Sequence, residues 1–334
     1  MTLKPPLGFT VNWPVMVYRP TLCSRQTKEE WFKERDLKLK NLNDGFVNAR
    51  AYMGGVIGRN PNGSGGVLLN MNHAWKAAFL LLISMSAGAQ TVDGTSVATP
   101  ELLVARGERG DPITVGIRFA LEPDWYLYWK NTGDSGLPVE VRWELPEGWT
   151  ASPLRFPVPQ KFVHDNLVSY GYKKEVIFLS TITPGRVPLT TLKAELDWLV
   201  CKESCIRGSA RVALPVSRWD KNMQEALVRS LALLPRPSKD LQVVVGNPRV
   251  QKSGVTWEAI LELTGPDAPR VTDFYPEPSD RFFVDYSSIE IENGILRFRF
   301  ELQKTDSRTL NVSGLFIANS KGYEHIFPIH LSSL

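Results

Sequence analysis

From Gln90 onward the chain is a succession of short runs in which apolar and polar residues alternate, divided by Pro, Gly and Asn. Ile113, Val115, Ile117, Phe119 and Leu121 share one parity, and so do Val139, Val141 and Trp143. Successive side chains of a strand point to opposite faces, so a period of two predicts strands with one face buried. Many such strands without helical crossovers predict a β-sandwich beginning near residue 100 and ending at Val216. Between Ser217 and Leu234 the period changes. Trp219, Met223, Ala226, Leu227, Ser230, Leu231 and Leu234 fall near one helical stripe, and Pro235 and Pro237 stop it. A short linker helix packed against one or both neighbouring domains is therefore predicted. Alternation resumes from Val255, Ile289, Ile295 and Ile326, and Asn293-Gly294 has the composition of a two-residue hairpin turn. The pattern gives an all-β fold class: one sandwich at 90–216, a helix at 217–238 and a smaller sandwich at 239–334.

Residues 71–89 break this texture. Met71 starts the segment, Lys76 supplies a positive n-region, Ala77 to Met85 form an apolar run, and Ala87-Gly88-Ala89 has the small-x-small form of a cleavage site. That order predicts a signal peptide and a periplasmic or secreted protein, in which a disulfide is permitted. Residues 1–70 carry Pro-Pro, Asn-Pro-Asn-Gly and Gly-Gly breakers and little periodicity. They are read as an over-extended start or a disordered leader, which removes Cys23 from consideration. Charge changes the picture at the same place. The pI near 8.9 suggests an acidic partner, but residues 1–89 hold 11 Lys/Arg against 5 Asp/Glu, leaving 28 against 30 in residues 90–334. The near-neutral remainder gives no support to nucleic acid as a partner. No long apolar run follows residue 90, so no membrane insertion is expected after signal removal.

The candidate chemistry lies in Leu192–Leu214. Leu192, Ala194, Leu196, Trp198 and Val200 share one face of an incoming strand, and Lys193, Glu195, Asp197 and Cys201 share the other. In the outgoing strand Ile206, Gly208, Ala210 and Val212 point inward, with Cys205, Arg207, Ser209 and Arg211 outward. Both thiols are thus expected on the polar face, flanking Lys202-Glu203-Ser204 and facing each other with Cβ atoms roughly 4.5–5.5 Å apart. Three readings remain open at this point. A structural staple closing so short a loop contributes only about 2 kcal/mol on the loop-entropy model. An exchangeable pair suits a short outward loop, with Lys202 and Arg207 favouring a thiolate and Glu203 opposing them. A metal site wants more ligands than His164, His325 and His330, scattered over both domains, supply. No cofactor or metal is expected.

The segment Trp198-Leu-Val-Cys-Lys-Glu-Ser-Cys-Ile206, together with Trp129-Lys-Asn-Thr-Gly-Asp-Ser-Gly-Leu-Pro138 and Tyr170-Gly-Tyr-Lys-Lys-Glu-Val176, resembles the N-terminal periplasmic domain of DsbD- and ScsB-type thiol:disulfide interchange proteins. The resemblance covers about residues 100–216, and 239–334 resembles more loosely the additional immunoglobulin-like domain of the ScsB branch. It implies two immunoglobulin-like sandwiches and a redox pair, Cys201 and Cys205. In that family, a membrane-embedded domain passes reducing equivalents to this domain, which reduces periplasmic thioredoxin-like clients. It further implies an aromatic just before a Gly that shields the sulfurs, for which Tyr170 beside Gly171 is the candidate. Arg207 departs from the Pro common at that position. No conduit and no Cys-x-x-Cys domain follow in these 334 residues, so a separately encoded membrane partner is expected.

Gly133-Asp134-Ser135-Gly136 has the surroundings of a serine-protease nucleophile, but no His precedes Ser135 in residues 90–134, and its Asn, Gly and Pro neighbours predict a turn. The rival functional class is a secreted adhesion, carbohydrate-binding or assembly sandwich with a merely structural disulfide. Processing is checked by sequencing the N-terminus of protein made from its own genomic locus. It should begin at or near Gln90, and a cytoplasmic chain starting at Thr2 would refute the signal reading.

Overall fold

The computed structural model describes residues 93–105, 110–303 and 308–331. The signal segment, the leader and Cys23 lie outside the described residues. A one-turn helix α1 (Gly94–Val97), capped by Asp93 Oδ1 accepting from the Thr95 and Ser96 amides at 2.9 Å, leads into the first sandwich. Its strands are β1 (Ala98–Val104), β2 (Ile113–Leu121), β3 (Tyr126–Gly133), β4 (Glu140–Glu144), β5 (Thr150–Ala151), β6 (Gln160–His164), β7 (Leu167–Lys173), β8 (Glu175–Thr183), β9 (Thr191–Cys201) and β10 (Cys205–Pro215). One sheet has the order β1-β2-β8-β5. The other runs β10-β9-β3-β7-β6, with β4 pairing the lower part of β9. All pairings are antiparallel, and the inward parity of β2 and β9 agrees with the alternation in the sequence. Between the sheets Phe119 packs edge-to-face on Trp198 at 5.1 Å and on Phe178 at 6.0 Å, the arrangement ring quadrupoles favour.

Helix α2 (Lys221–Ala232) follows a 3-10 turn at Val216–Arg218 and starts at Asp220, whose Oδ1 accepts from Met223 N at 2.8 Å. Ala226 and Leu227 pack with Leu103, Ile177 and Leu179, and Ser230 is buried beside them in the helix, so the helix covers the β1-β2-β8 sheet. Two members of the expected stripe are exposed. Trp219 precedes the helix, and Leu231 sits about 80° around the axis from Met223, at the flank of the buried face.

The strands then resume as β11 (Val244–Val245), β12 (Arg249–Ser253), β13 (Thr256–Thr264), β14 (Val271–Pro276), β15 (Phe282–Glu292), β16 (Ile295–Leu302), β17 (Thr309–Ala318) and β18 (Lys321–His330). They form a sheet β11-β13-β16-β15, with β12 also on β13, and a sheet β14-β17-β18. Asn293 and Gly294 have φ of 51° and 74°, so both residues of the β15–β16 turn are left-handed, as a primed hairpin turn requires. The core between these sheets is aromatic, centred on Phe274, Phe298, Phe300 and Phe316.

The two cores meet. Tyr275 and Leu315 pack into the first core, and Tyr170 lies 4.7 Å from Tyr275 and 5.9 Å from Tyr286 between ring centroids. A polar seam accompanies them: Lys161 Nζ is 3.0 Å from Asp273 Oδ2, Lys130 pairs with Glu277, and Asn131 Nδ2 donates to the Pro276 carbonyl at 2.7 Å. The alternation pattern divides the chain into separate sandwiches on either side of residues 217–238, but removing the second sandwich would uncover Tyr170 and take the Pro276 and Tyr286 partners from Asn131. A 90–238 fragment should therefore unfold at a lower urea concentration than the 90–334 chain, and equal midpoints would mean that the seam contributes nothing to the first sandwich.

Candidate redox site

The antiparallel register of β9 and β10 places Cys205 directly opposite Cys201, with Lys202, Glu203 and Ser204 as the exposed tip. Their Cα atoms are 4.2 Å apart and the sulfurs are joined in a disulfide. On its other side the end of β9 is held by β3, which pairs Tyr126 with Cys201 and Leu127 with Val200.

The expected parity is present, but the expected exposure is not. Cys201 and Leu199 do face away from Trp198 and Val200, yet Cys201 is only 2% exposed and Cys205 is half-buried. The reason is a second, smaller apolar cluster on the outer face, in which Tyr128, Leu199 and Cys201 bury one another, with Tyr126, Leu137 and Cys205 against them. Tyr126 and Tyr128 share one parity of β3 and lean edge-on at 5.3 Å, and Phe162 of β6 continues the row 5.1 Å from Tyr126. The Tyr128 hydroxyl donates to Cys201 Sγ at 3.0 Å and lies 3.5 Å from Cys205 Sγ.

The Gly133–Gly136 segment is the turn its composition predicts, and it forms a lid on Tyr128. Gly136 has φ of 99° and lies so close to the phenol ring that a Cβ there would overlap it. Asp134 clamps the turn to β7: its amide donates to the Val168 carbonyl at 2.8 Å, and its Oδ2 accepts from the Val168 amide at 2.7 Å. Burial pushes the Asp134 carboxyl above the usual carboxylate range, while the Val168 amide works in the opposite direction.

Residues 97–217 match the family described as "Thiol:disulfide interchange protein DsbD, N-terminal". Over that stretch, about a third of the chain, the sequence is of the DsbD N-terminal type. Among solved structures, the N-terminal periplasmic domain of ScsB from Proteus mirabilis is similar over 70% of this chain and 92% of its own, with a TM-score of 0.55 at 16% identity. That share reaches beyond residues 97–217, so the likeness of fold extends into the second sandwich. The reduced N-terminal domain of Neisseria meningitidis DsbD aligns over 37% of this chain and 90% of its own at 14% identity, with a TM-score of 0.27. No curated protein matches the sequence.

Within this DsbD-type domain the other expected site residues divide. Tyr170 is fully buried, but among Trp129, Tyr275 and Tyr286 rather than beside the disulfide. Strand parity explains the correction: β3 pairs Tyr128 with Gly171, so it is position 171, not 170, that faces the sulfur side of the sheet. Tyr128 takes the covering role expected of Tyr170. Its only signal in the sequence is the Tyr126-x-Tyr128 alternation, which equally describes core aromatics. Lys202 reaches Asp124 at 3.2 Å, both side chains being well exposed, so its charge is screened and partly neutralised at the hairpin tip. Arg207 is exposed on β10, two residues beyond Cys205 on the same face. Among the described residues no group of three or more His, Cys, Asp or Glu side chains is placed to hold a metal ion.

A hydroxyl donating to sulfur favours the thiolate over the thiol. A hydrogen bond of this kind is worth about 1 kcal/mol, somewhat under one pKa unit. Tyr128→Phe, which keeps the ring and removes the donor, should raise the Cys201 thiol pKa by roughly that amount in a Cys205→Ser protein. The rate of alkylation by iodoacetamide against pH measures it, and an unmoved profile would show that the contact does not set the acidity of Cys201.

Proposed function

We propose that this protein is an extracytoplasmic thiol–disulfide exchange module that takes reducing equivalents from a membrane-embedded thiol donor and passes them to thioredoxin-like clients through Cys201 and Cys205. The observation that carries the reading is a directly opposed cysteine pair within a DsbD-type domain, with one sulfur half open and a hydroxyl donor against the other. A location outside the cytoplasm is supported by the charge, apolar run and Ala-Gly-Ala order of residues 71–89, and by a disulfide that reducing compartments disfavour.

The exchange runs in two balanced steps in each direction. A donor thiolate attacks Cys205 Sγ, the Cys201–Cys205 bond breaks, and a mixed disulfide forms with Cys201 leaving as thiolate. The donor's second thiolate then attacks its own sulfur in the mixed disulfide, releasing Cys205 and leaving the donor oxidised and both cysteines reduced. Reduction of a client reverses these roles: Cys205 attacks the client disulfide, Cys201 resolves the mixed disulfide, and two electrons have moved. Access orders the sulfurs this way, because Cys201 is buried behind Tyr128 while Cys205 is half exposed. Tyr128 also stabilises the thiolate that must leave.

Burial of Cys201 also favours the rival reading, in which the bond is a staple in an adhesion, carbohydrate-binding or assembly sandwich. The reduction potential separates the two: a value below about −300 mV marks a structural bond, whereas exchangeable pairs are less reducing. We expect the less reducing range. We also expect a Cys201→Ser protein to trap a mixed disulfide through Cys205 in its native host more readily than a Cys205→Ser protein traps one through Cys201. The reverse ranking would overturn the order of attack.

A further inference from the structure

A buried polar side chain links the second sandwich to the sulfur site. Asn131, on β3 three residues after Tyr128, is 5% exposed. It donates from Nδ2 to the Pro276 carbonyl at 2.7 Å, and its Oδ1 accepts from the Gly133 amide at 3.1 Å and from the Tyr286 hydroxyl at 3.2 Å. Two of these three partners belong to the second sandwich, and the third opens the turn that lies on Tyr128. The β3–β7 ladder is irregular here: Tyr128 pairs with Gly171, and the next paired residue is Gly133 with Ser169. Bulges of this kind re-aim side chains beside functional sites, and this one is bridged by Asn131.

From Asn131 the contacts run on without a gap. Gly133 is followed by Asp134, which clamps to Val168, and Thr132 Oγ1 donates to the Gly136 carbonyl at 3.3 Å. Gly136 rests on the Tyr128 ring, and the Tyr128 hydroxyl touches both sulfurs. We propose that Asn131 is a positioning residue through which the second sandwich holds the Gly133–Gly136 turn down on Tyr128 and so sets the acidity of Cys201. The proposal deepens the exchange reading above and rests on it, since a tuned thiol matters only where the sulfur reacts. It gives the second sandwich a task that requires no ligand of its own.

The test uses the 90–334 chain with Cys205→Ser, so that Cys201 is a free thiol, and reads its iodoacetamide alkylation rate against pH. Asn131→Ala should lower the acidity of Cys201 about threefold or more, in the direction of the Tyr128→Phe change, and Tyr286→Phe should move it the same way by less. Combined with Tyr128→Phe, Asn131→Ala should add almost nothing, because both act through one hydroxyl. Lys161→Met, which breaks the Lys161–Asp273 pair in the same seam but away from the turn, should leave the profile at its starting position. The charged groups around the hairpin tip, Lys202, Asp124, Glu203 and Arg207, are the same in every protein compared. An Asn131→Ala profile equal to that of the parent overturns the proposal. So does a shift of full size in the Tyr128→Phe background, or an equal shift from Lys161→Met. If Asn131→Ala does not fold, Tyr286→Phe alone, with and without Tyr128→Phe, decides on the same criteria. Because alkylation needs neither donor nor client, a negative result leaves the relay reading untouched, and failure to find a client leaves this result standing.

Discussion

The pairing of β9 with β10 is what the rest of the site depends on. Its register runs through eleven residue pairs, from Thr191 and Pro215 up to Cys201 and Cys205, and the end of β9 is braced again by β3. The disulfide itself closes a loop of about five residues, worth roughly 2 kcal/mol on the loop-entropy model. The hairpin therefore holds the sulfurs together, rather than the sulfurs holding the hairpin. Breaking such a bond costs the fold less than breaking one that closes a long loop, whose loop-entropy contribution reaches about 4.7 kcal/mol for a hundred residues.

Two influences on the Cys201 thiolate compete in magnitude. Lys202 is the nearest cation in sequence, but it sits in solvent and faces Asp124, and exposed ion pairs of this kind are worth only about 0.2–1 kcal/mol. The Tyr128 hydroxyl is uncharged, yet it is buried with its sulfur acceptor at 3.0 Å, where no water competes for either group. Burial thus gives the neutral donor more weight than the exposed charge. The same burial disfavours a bare thiolate, so the donor offsets a cost that its own ring helps to create.

Local alternation made much of this fold legible in the sequence. The strands, the Asn293-Gly294 hairpin, the helix between the sandwiches and the opposition of Cys201 to Cys205 all follow from residues within a few positions of one another. What alternation does not specify is which face receives a lid. Cys201 shares parity with Lys193, Glu195 and Asp197, and it is buried by an outer-face cluster whose largest buried member, Tyr128, lies 73 residues earlier. Tyr170 failed as a cover for a related reason: its place beside Gly171 is apparent in the sequence, but which of the two faces Tyr128 is set by the β3–β7 register. Trp219 was misplaced by a boundary, since the Asp220 cap starts the helix just after it.

The seam between the sandwiches shows how a buried polar contact acquires a role. Tyr170 and Asn131 are both almost fully enclosed there, and both carry polar atoms. The Tyr170 hydroxyl finds no hydrogen-bond partner among the described residues, and burial first, then the charge of Asp273, holds its pKa far above the ordinary phenol value. It stays protonated and acts as a ring, packing Trp129 against Tyr275 and Tyr286. Asn131 satisfies both ends of its amide, and its partners lie on opposite sides of the seam. An apolar contact tolerates small slips of one sheet over another, whereas three directional hydrogen bonds at one amide do not. The aromatic rings supply the adhesion between the sandwiches, and Asn131 fixes their register. The turn that Asn131 fixes is the one lying on the phenol of the sulfur site.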